Sequence, residues 1–156
     1  MKKQNGITLI VLVVTVVLLL ILIGLGVTYS RKSIDDMKFN QFSSELKVVE
    51  SRLNVISKEI KMGSTAYGSI GTPITSDAVT NGHLSQGDYN KALEILNTPG
   101  MNIPPGEINN FILLTSDDLN TIGINKINQD MLVNYNIPKA VSFTGITING
   151  TVYYSY

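Results

Sequence analysis

Side chains able to do chemistry are few and scattered along these 156 residues. There is one histidine, His83, and no cysteine. Nucleophilic catalysis needs a hydroxyl or thiol within hydrogen-bond reach of a base. His83 follows an Asn81-Gly82 pair and has no serine motif around it. No glycine-rich phosphate cradle occurs either, so neither a catalytic residue nor a cofactor is expected, and the chain does not read as an enzyme. Asp117, Asp118 and Asn120 form an oxygen-rich cluster. Hard cations want roughly six to eight converging oxygens, and these three lack the spaced repeat of a calcium loop. They read instead as the positive end of a short helix, capped by Ser116 and ended by Gly123, so no metal is expected. Beyond residue 62, Lys91, Lys126 and Lys139 stand against Asp77, Asp88, Glu94, Glu107, Asp117, Asp118 and Asp130. Nucleic-acid binding draws on clustered positive charge, so no nucleic-acid partner is expected. Asn149-Gly150-Thr151 has the form of a glycosylation acceptor, but Asn-Gly is first of all the pair that a tight hairpin demands.

With little chemistry to position, the dominant feature is the stretch 7–29, which carries no charged residue. About 20 apolar residues are what an α-helix needs to cross a hydrocarbon core of about 30 Å. Only a helix satisfies its own backbone there, so the run of Val and Ile does not argue for a strand. A lipid bilayer is therefore the first expected partner. What precedes the run is a short basic leader, residues 1–6, ending in Gly6. A secretory signal has a shorter apolar core followed by small residues at a cleavage site. Here Ser30-Arg31-Lys32-Ser33 follows, which reads as a stop.

Lys2-Lys3-Gln4-Asn5-Gly6 followed by Ile7-Thr8-Leu9-Ile10 resembles the leader and first mature residues of type IV pilins and of the pseudopilins of type II secretion and competence machines. The resemblance implies cleavage between Gly6 and Ile7 by a prepilin peptidase on the cytoplasmic side, then N-methylation of Ile7. It implies that the apolar helix, beginning Thr8-Leu9-Ile10-Val11, is first a membrane anchor and later the core of an assembly with other pilin or pseudopilin subunits. Two positions depart from the family pattern. Ile7 replaces the usual phenylalanine, and Val11 stands where the family usually carries a glutamate that pairs with a neighbour's N-terminal amine. A carboxylate in a bilayer is costly without a partner; Val11 avoids that cost and gives up the pairing. This fits a minor or tip subunit, or a relative no longer processed. Flanking charge leaves topology open, since Lys2 and Lys3 lie on one side and Arg31 and Lys32 on the other. The resemblance and the short leader place the N-terminus inside and the remainder outside, in a single-pass cytoplasmic-membrane protein that reaches the cell surface if it enters a filament.

The region 30–62 continues the helix. Phe39, Phe42, Leu46, Val49, Leu53, Ile56 and Ile60 recur at alternating three- and four-residue steps, which keeps one face apolar. Gly63 supplies a stop. Together the two parts predict a helix of about 55 residues, roughly 80 Å long. A coiled coil would use the same spacing, but the stripe lasts only about three heptads. The strand-rich segment downstream also needs cover for its own apolar face, so the stripe is expected to pack on that sheet.

Residues 63–156 are expected to form a small head. The glycine-rich segment 63–82, with Pro73, reads as a loop, and the resemblance makes it the variable surface. Residues 85–97 read as a helix, with Tyr89, Leu93 and Leu96 on its apolar side. Strands are expected over 108–115, 129–135, 139–148 and 151–156, the last two joined by Asn149-Gly150. Alternation of Val141 and Phe143 with Ser142 and Thr144, and of Val152, Tyr154 and Tyr156 with Tyr153 and Ser155, predicts one buried and one wet face per strand. The fold class expected is α+β: a long N-terminal helix packed on a small C-terminal antiparallel sheet, with a β-meander over 108–156, pilin-like by resemblance. The function expected is a structural subunit, minor pilin or pseudopilin-like. The alternative is a single-pass, membrane-anchored extracellular binding or adhesion module that never enters a filament.

Overall fold

The computed structural model describes residues 4–125 and 127–156, with backbone alone for 4–8 and 24–30. The expected leader therefore lies partly outside the described residues, as does Lys126. The fold is α+β, with a long N-terminal helix, α1 (Gln4–Lys61), and small antiparallel sheets toward the C-terminus. The chain divides into two units, one ending at Phe39 and the other spanning Asn40–Tyr156. In the first unit the described backbone is helical throughout.

The second unit is built on a four-stranded antiparallel sheet in the order β1 (Thr72–Pro73), β2 (Phe111–Leu114), β3 (Met131–Asn134), β4 (Lys139–Ser142). Residues 40–61 of α1 cover one face. Phe42, Leu46, Val49, Leu53 and Ile56 pack there with Leu114, Met131, Val133 and Ala140. The other face is covered by α2 (Ser76–Thr80) and α3 (Gln86–Leu96), whose Ala78, Ala92, Ile95 and Leu96 join Phe111, Leu132 and Val141. Opposed residues agree: Leu132 faces Val141 in one layer and Val133 faces Ala140 in the other. All four residues of β3 are buried, as are three of four in β4. The expectation of one wet face per strand is thus corrected: a sheet covered on both faces takes apolar residues at consecutive positions.

Three further expectations change. The segment 63–82 is not an open loop, because it supplies β1 and α2. Thr75 caps α2, its side chain accepting from the Ala78 amide at 3.2 Å, and Pro73 is tolerated because β1 is an edge strand. The expected strand 139–148 breaks at 143–145 into β4 and β5 (Ile146–Ile148), which belong to different sheets. β5 pairs only with β6 (Thr151–Tyr153) across Asn149-Gly150. Both turn residues have positive φ, 50° and 81°, the geometry of a type I′ hairpin. Residues 151–153 are all exposed, so Val152 is on no buried face. The strand expected from 108 begins at Phe111, after a 3-10 turn at Ile108–Asn110.

Helix α3 lies where expected, capped by Ser85, whose side chain accepts from the Asp88 amide. Helix α4 (Ser116–Thr121) is capped by Thr115 and not by Ser116. The Thr115 side chain accepts from the Asp118 amide, and the Asp118 carboxylate accepts from the Thr115 amide at 2.9 Å. That reciprocal pair satisfies two donors at once. Gly123 follows the helix end with φ +85°.

Candidate functional site

The site residues expected from the sequence lie in α1, where the described side chains are distinctive. Every large apolar residue over 9–23 is exposed, from 48% at Val16 to 65% at Leu9. The helix satisfies its own backbone, and the Thr15 hydroxyl donates back to Leu12 O at 2.8 Å. Full burial of a Leu, Ile or Val side chain is worth about 1.5–3 kcal/mol. A run of such side chains on every face of a helix demands an apolar phase or other helices around it. Val11 is 55% exposed and presents no carboxylate within this run. Among the described residues no helix is long and apolar enough to cross a membrane. The described stretch 9–23 is the middle of the sequence run 7–29, whose remaining side chains lie outside the description. Gly6, Ile7 and Thr8 have helical backbone, and their side chains likewise lie outside it.

In the second unit, Phe42, Leu46, Val49, Leu53 and Ile56 are at most 4% exposed. Phe39 is half-buried within the first unit. Ile60, expected in the packed stripe, is 37% exposed in the last turn of α1, outside the core cluster. Polar side chains flanking the stripe tie α1 to distant segments, a feature that sequence periodicity does not reveal. Glu45 Oε2 accepts from Gln129 Nε2 at 3.1 Å. Glu50 Oε1 accepts from the Ala140 amide at 3.3 Å, and its other oxygen from the Tyr156 hydroxyl. Arg52 Nε donates to Ile122 O at 2.7 Å, which places a cation at the C-terminal end of α4. The Tyr67 hydroxyl donates to Glu59.

A cleft of about 460 Å³ opens between α1 and the sheet edge, lined by Glu50, Asn102, Ile137, Lys139 and Tyr156 among others. The residues weighed for chemistry do not converge on it. His83 is exposed, with its amide on Ala78 O, and Asp118 is engaged in the cap of α4. Among the described residues no group of three or more His, Cys, Asp or Glu is placed to hold a metal. One buried polar side chain serves structure. Asn134, fully buried, donates to Glu107 O and Oε2 and accepts from the amides of Asn136 and Ile137, so it closes the β3–β4 turn. The Asn110 and Asn134 amides hold the Glu107 carboxyl below its ordinary range. Burial, with Asp118 and Tyr67 nearby, pushes the Tyr135 phenol up to about 12.

Among the described residues the groups weighed for chemistry are scattered, while α1 carries an exposed apolar run over 9–23. No family model, curated protein or solved structure matches the chain.

Proposed function

We propose that this chain is a structural subunit of a type IV filament or of a type II secretion or competence-type machine, in the role of a minor pilin or pseudopilin. One observation carries the reading: a charge-free helix segment, apolar but for Thr15 and exposed on all sides over 9–23, on a chain whose second unit is a closed α+β core. Such a segment is stable only when covered, first by lipid and later by the same segments of neighbouring subunits. The basic leader ending in Gly6 and the apolar residues from Ile7 support processing by a prepilin peptidase between them. Val11 supports the minor role, because a subunit without a carboxylate there cannot pair with a neighbour's new N-terminal amine. The chain then sits as a single-pass protein of the cytoplasmic membrane, N-terminus inside, with residues 40–156 outside. No step of this role is catalytic, and no cofactor enters it.

Mass spectrometry of the N-terminal residue, on protein pulled from membranes with its companions, tests the proposal. A chain starting at Ile7 and co-purifying with other subunits is expected. An intact Met1 on a solitary membrane protein would replace this reading with that of a tethered binding or adhesion module. Recovery from the cytosol with the leader attached would remove both.

A further inference from the structure

Four segments distant in sequence meet at the cleft beside α1. Glu50 comes from the helix, Asn102 and Pro104 from the loop between α3 and β2, Pro138 and Lys139 from the start of β4, and Tyr156 from the segment after β6. Its volume of about 460 Å³ lies within the range of small-molecule sites, about 300–1,000 Å³. The polar groups in its lining divide into two sets. The first is fixed: Glu50 Oε1 accepts from the Ala140 amide at 3.3 Å, and its other oxygen accepts from the Tyr156 hydroxyl. Lys47 Nζ lies 5.1 Å from the centre of the Tyr156 ring. A carboxylate offers about four lone-pair sites, so Glu50 keeps capacity to accept. The second set is unengaged: among the described residues the side chains of Asn102, Lys139 and Ser155 have no hydrogen-bond or ion-pair partner. Asn102 also has φ +50° and belongs to no helix or strand. That conformation is uncommon for a non-glycine residue and concentrates at functional positions.

We propose that this cleft binds a neutral saccharide. Glu50 and Lys139 are the ionised side chains of its lining, so it carries no net side-chain charge. An anion would gain Lys139 and meet Glu50, and a cation the reverse, so neither sign is favoured. A purely apolar ligand would strip water from Asn102, Lys139 and Ser155 and leave them unpaired, which costs free energy. A neutral ligand that both donates and accepts meets every group: Lys139 donates, Glu50 accepts, and the Asn102 amide and Ser155 hydroxyl do either. The rest of the lining is the apolar body of Pro104, Ile137, Pro138 and the Tyr156 ring. A sugar ring carries both kinds of surface, with hydroxyls around its rim and C–H groups on its faces. Its rim suits the polar set, and a face lies against the prolines or the electron-rich face of the tyrosine. Proline rings and a tyrosine already tied to Glu50 lose little freedom on binding, which lowers the cost of association. A free amino acid would need Glu50 as its full counterion, and two donors already occupy that carboxylate. The inference goes beyond the filament reading and holds equally for a subunit or a tethered module.

The test uses the full chain in a detergent without a sugar headgroup. The probes are glucose, galactose, mannose, N-acetylglucosamine and the β-1,4-linked disaccharides of glucose and of N-acetylglucosamine, with acetate and free glycine as ionic competitors. Saturation-transfer NMR, with irradiation of the protein's aromatic protons, reads contact and affinity. Saturable binding of at least one sugar is expected, its ring C–H protons receiving the strongest transfer. Asn102→Gly removes the amide while glycine keeps the left-handed backbone, and Lys139→Met removes the donors while keeping the aliphatic stem. Each is expected to weaken that sugar's binding about fivefold, the worth of one hydrogen bond, with thermal unfolding unchanged. Should either variant unfold, the other and Ser155→Ala carry the comparison. The proposal is overturned if no sugar of the set binds, or if binding is indifferent to these substitutions. Tighter binding of acetate or glycine than of every sugar overturns it as well.

Discussion

Two glycines with nearly the same backbone conformation should respond very differently to alanine. Gly71 has φ +81° and Gly150 φ +81°, so each substitution forces an L-residue into the left-handed region, at about 1–2 kcal/mol. At Gly150 that is the whole cost, because no atom lies within 4 Å of an added methyl. At Gly71 the methyl would lie 2.5 Å from Leu114 Cδ2 and 2.9 Å from Leu113 O. Leu114 is fully buried and Leu113 pairs with Thr72 across β1–β2, so neither can yield freely. Forcing a methyl into such packing adds about 1–3 kcal/mol. Gly71→Ala should therefore destabilise by about 2–5 kcal/mol and Gly150→Ala by about 1–2. At about 4–8 °C per kcal/mol for a small domain, the two midpoints should separate by about 4 °C at the least. Thermal unfolding of the full chain in detergent, followed by near-UV circular dichroism of its tyrosines, reads the difference. Equal midpoints would refute the packing of segment 63–82 onto the sheet, and with it the correction of that segment from open loop to edge strand.

Other expectations follow the same contacts. Leu53→Ala should cost about 2–5 kcal/mol as a buried truncation, while Val48→Ala, at a site 54% exposed, should stay within about 0.5 kcal/mol; urea midpoints separate them. Asn134→Ala leaves the Asn136 and Ile137 amides without their acceptor and should cost about 1–3 kcal/mol, seen as faster amide exchange at those two positions. Val17→Lys puts a charge in the middle of the apolar run, at roughly 2.5–3.5 kcal/mol for insertion, and should move protein from the membrane fraction to aggregates or the soluble fraction. Glu107 has a lowered folded-state pKa, so its contribution is present at neutral pH and lost as pH falls through and below the ordinary carboxylate range. Tyr135 is raised to about 12, so its contribution is complete below about pH 10 and lost from there towards 12. Stability against pH at both extremes checks the two signs, with Asn110→Ala flattening the acid limb.

What the sequence revealed divides along physical lines. The stripe Phe42 to Ile56 was legible because a buried helical face repeats every three or four residues over several turns. The Asn149-Gly150 turn was legible because few other pairs adopt two successive positive φ values. Segment 63–82 was not, because β1 has two residues and α2 five, too short for any period to register. Its glycine content hid the fact that Gly71 is fixed by close packing rather than free. The strand break at 143–145 was hidden because strand-forming residues stand on both sides of it, with Gly145 alone to mark it. What stops the strand is a local clasp: the Gly145 amide donates to Ser142 Oγ at 2.8 Å, and Ser142 in turn donates to Gln129. Double coverage of the sheet was masked by Ser142, a polar residue that suggested a wet face but is buried, donating to Gln129 and accepting from the Gly145 amide. The exposed run over 9–23 was visible from composition alone, whereas the cleft depends on long-range pairing that no local pattern encodes.

Glu45, Glu50, Arg52 and Glu59 each grip a different part of the unit beyond residue 62, on both flanks of one helical face. Apolar side chains are poor at setting the angle of a rod about its own axis, since greasy surfaces tolerate sliding. Four polar clamps at fixed azimuths remove that freedom. Residues 40–61 should then keep one rotational setting even when Leu46, Val49 and Leu53 are exchanged for other aliphatic residues, and loss of the clamps should permit rolling before it causes melting.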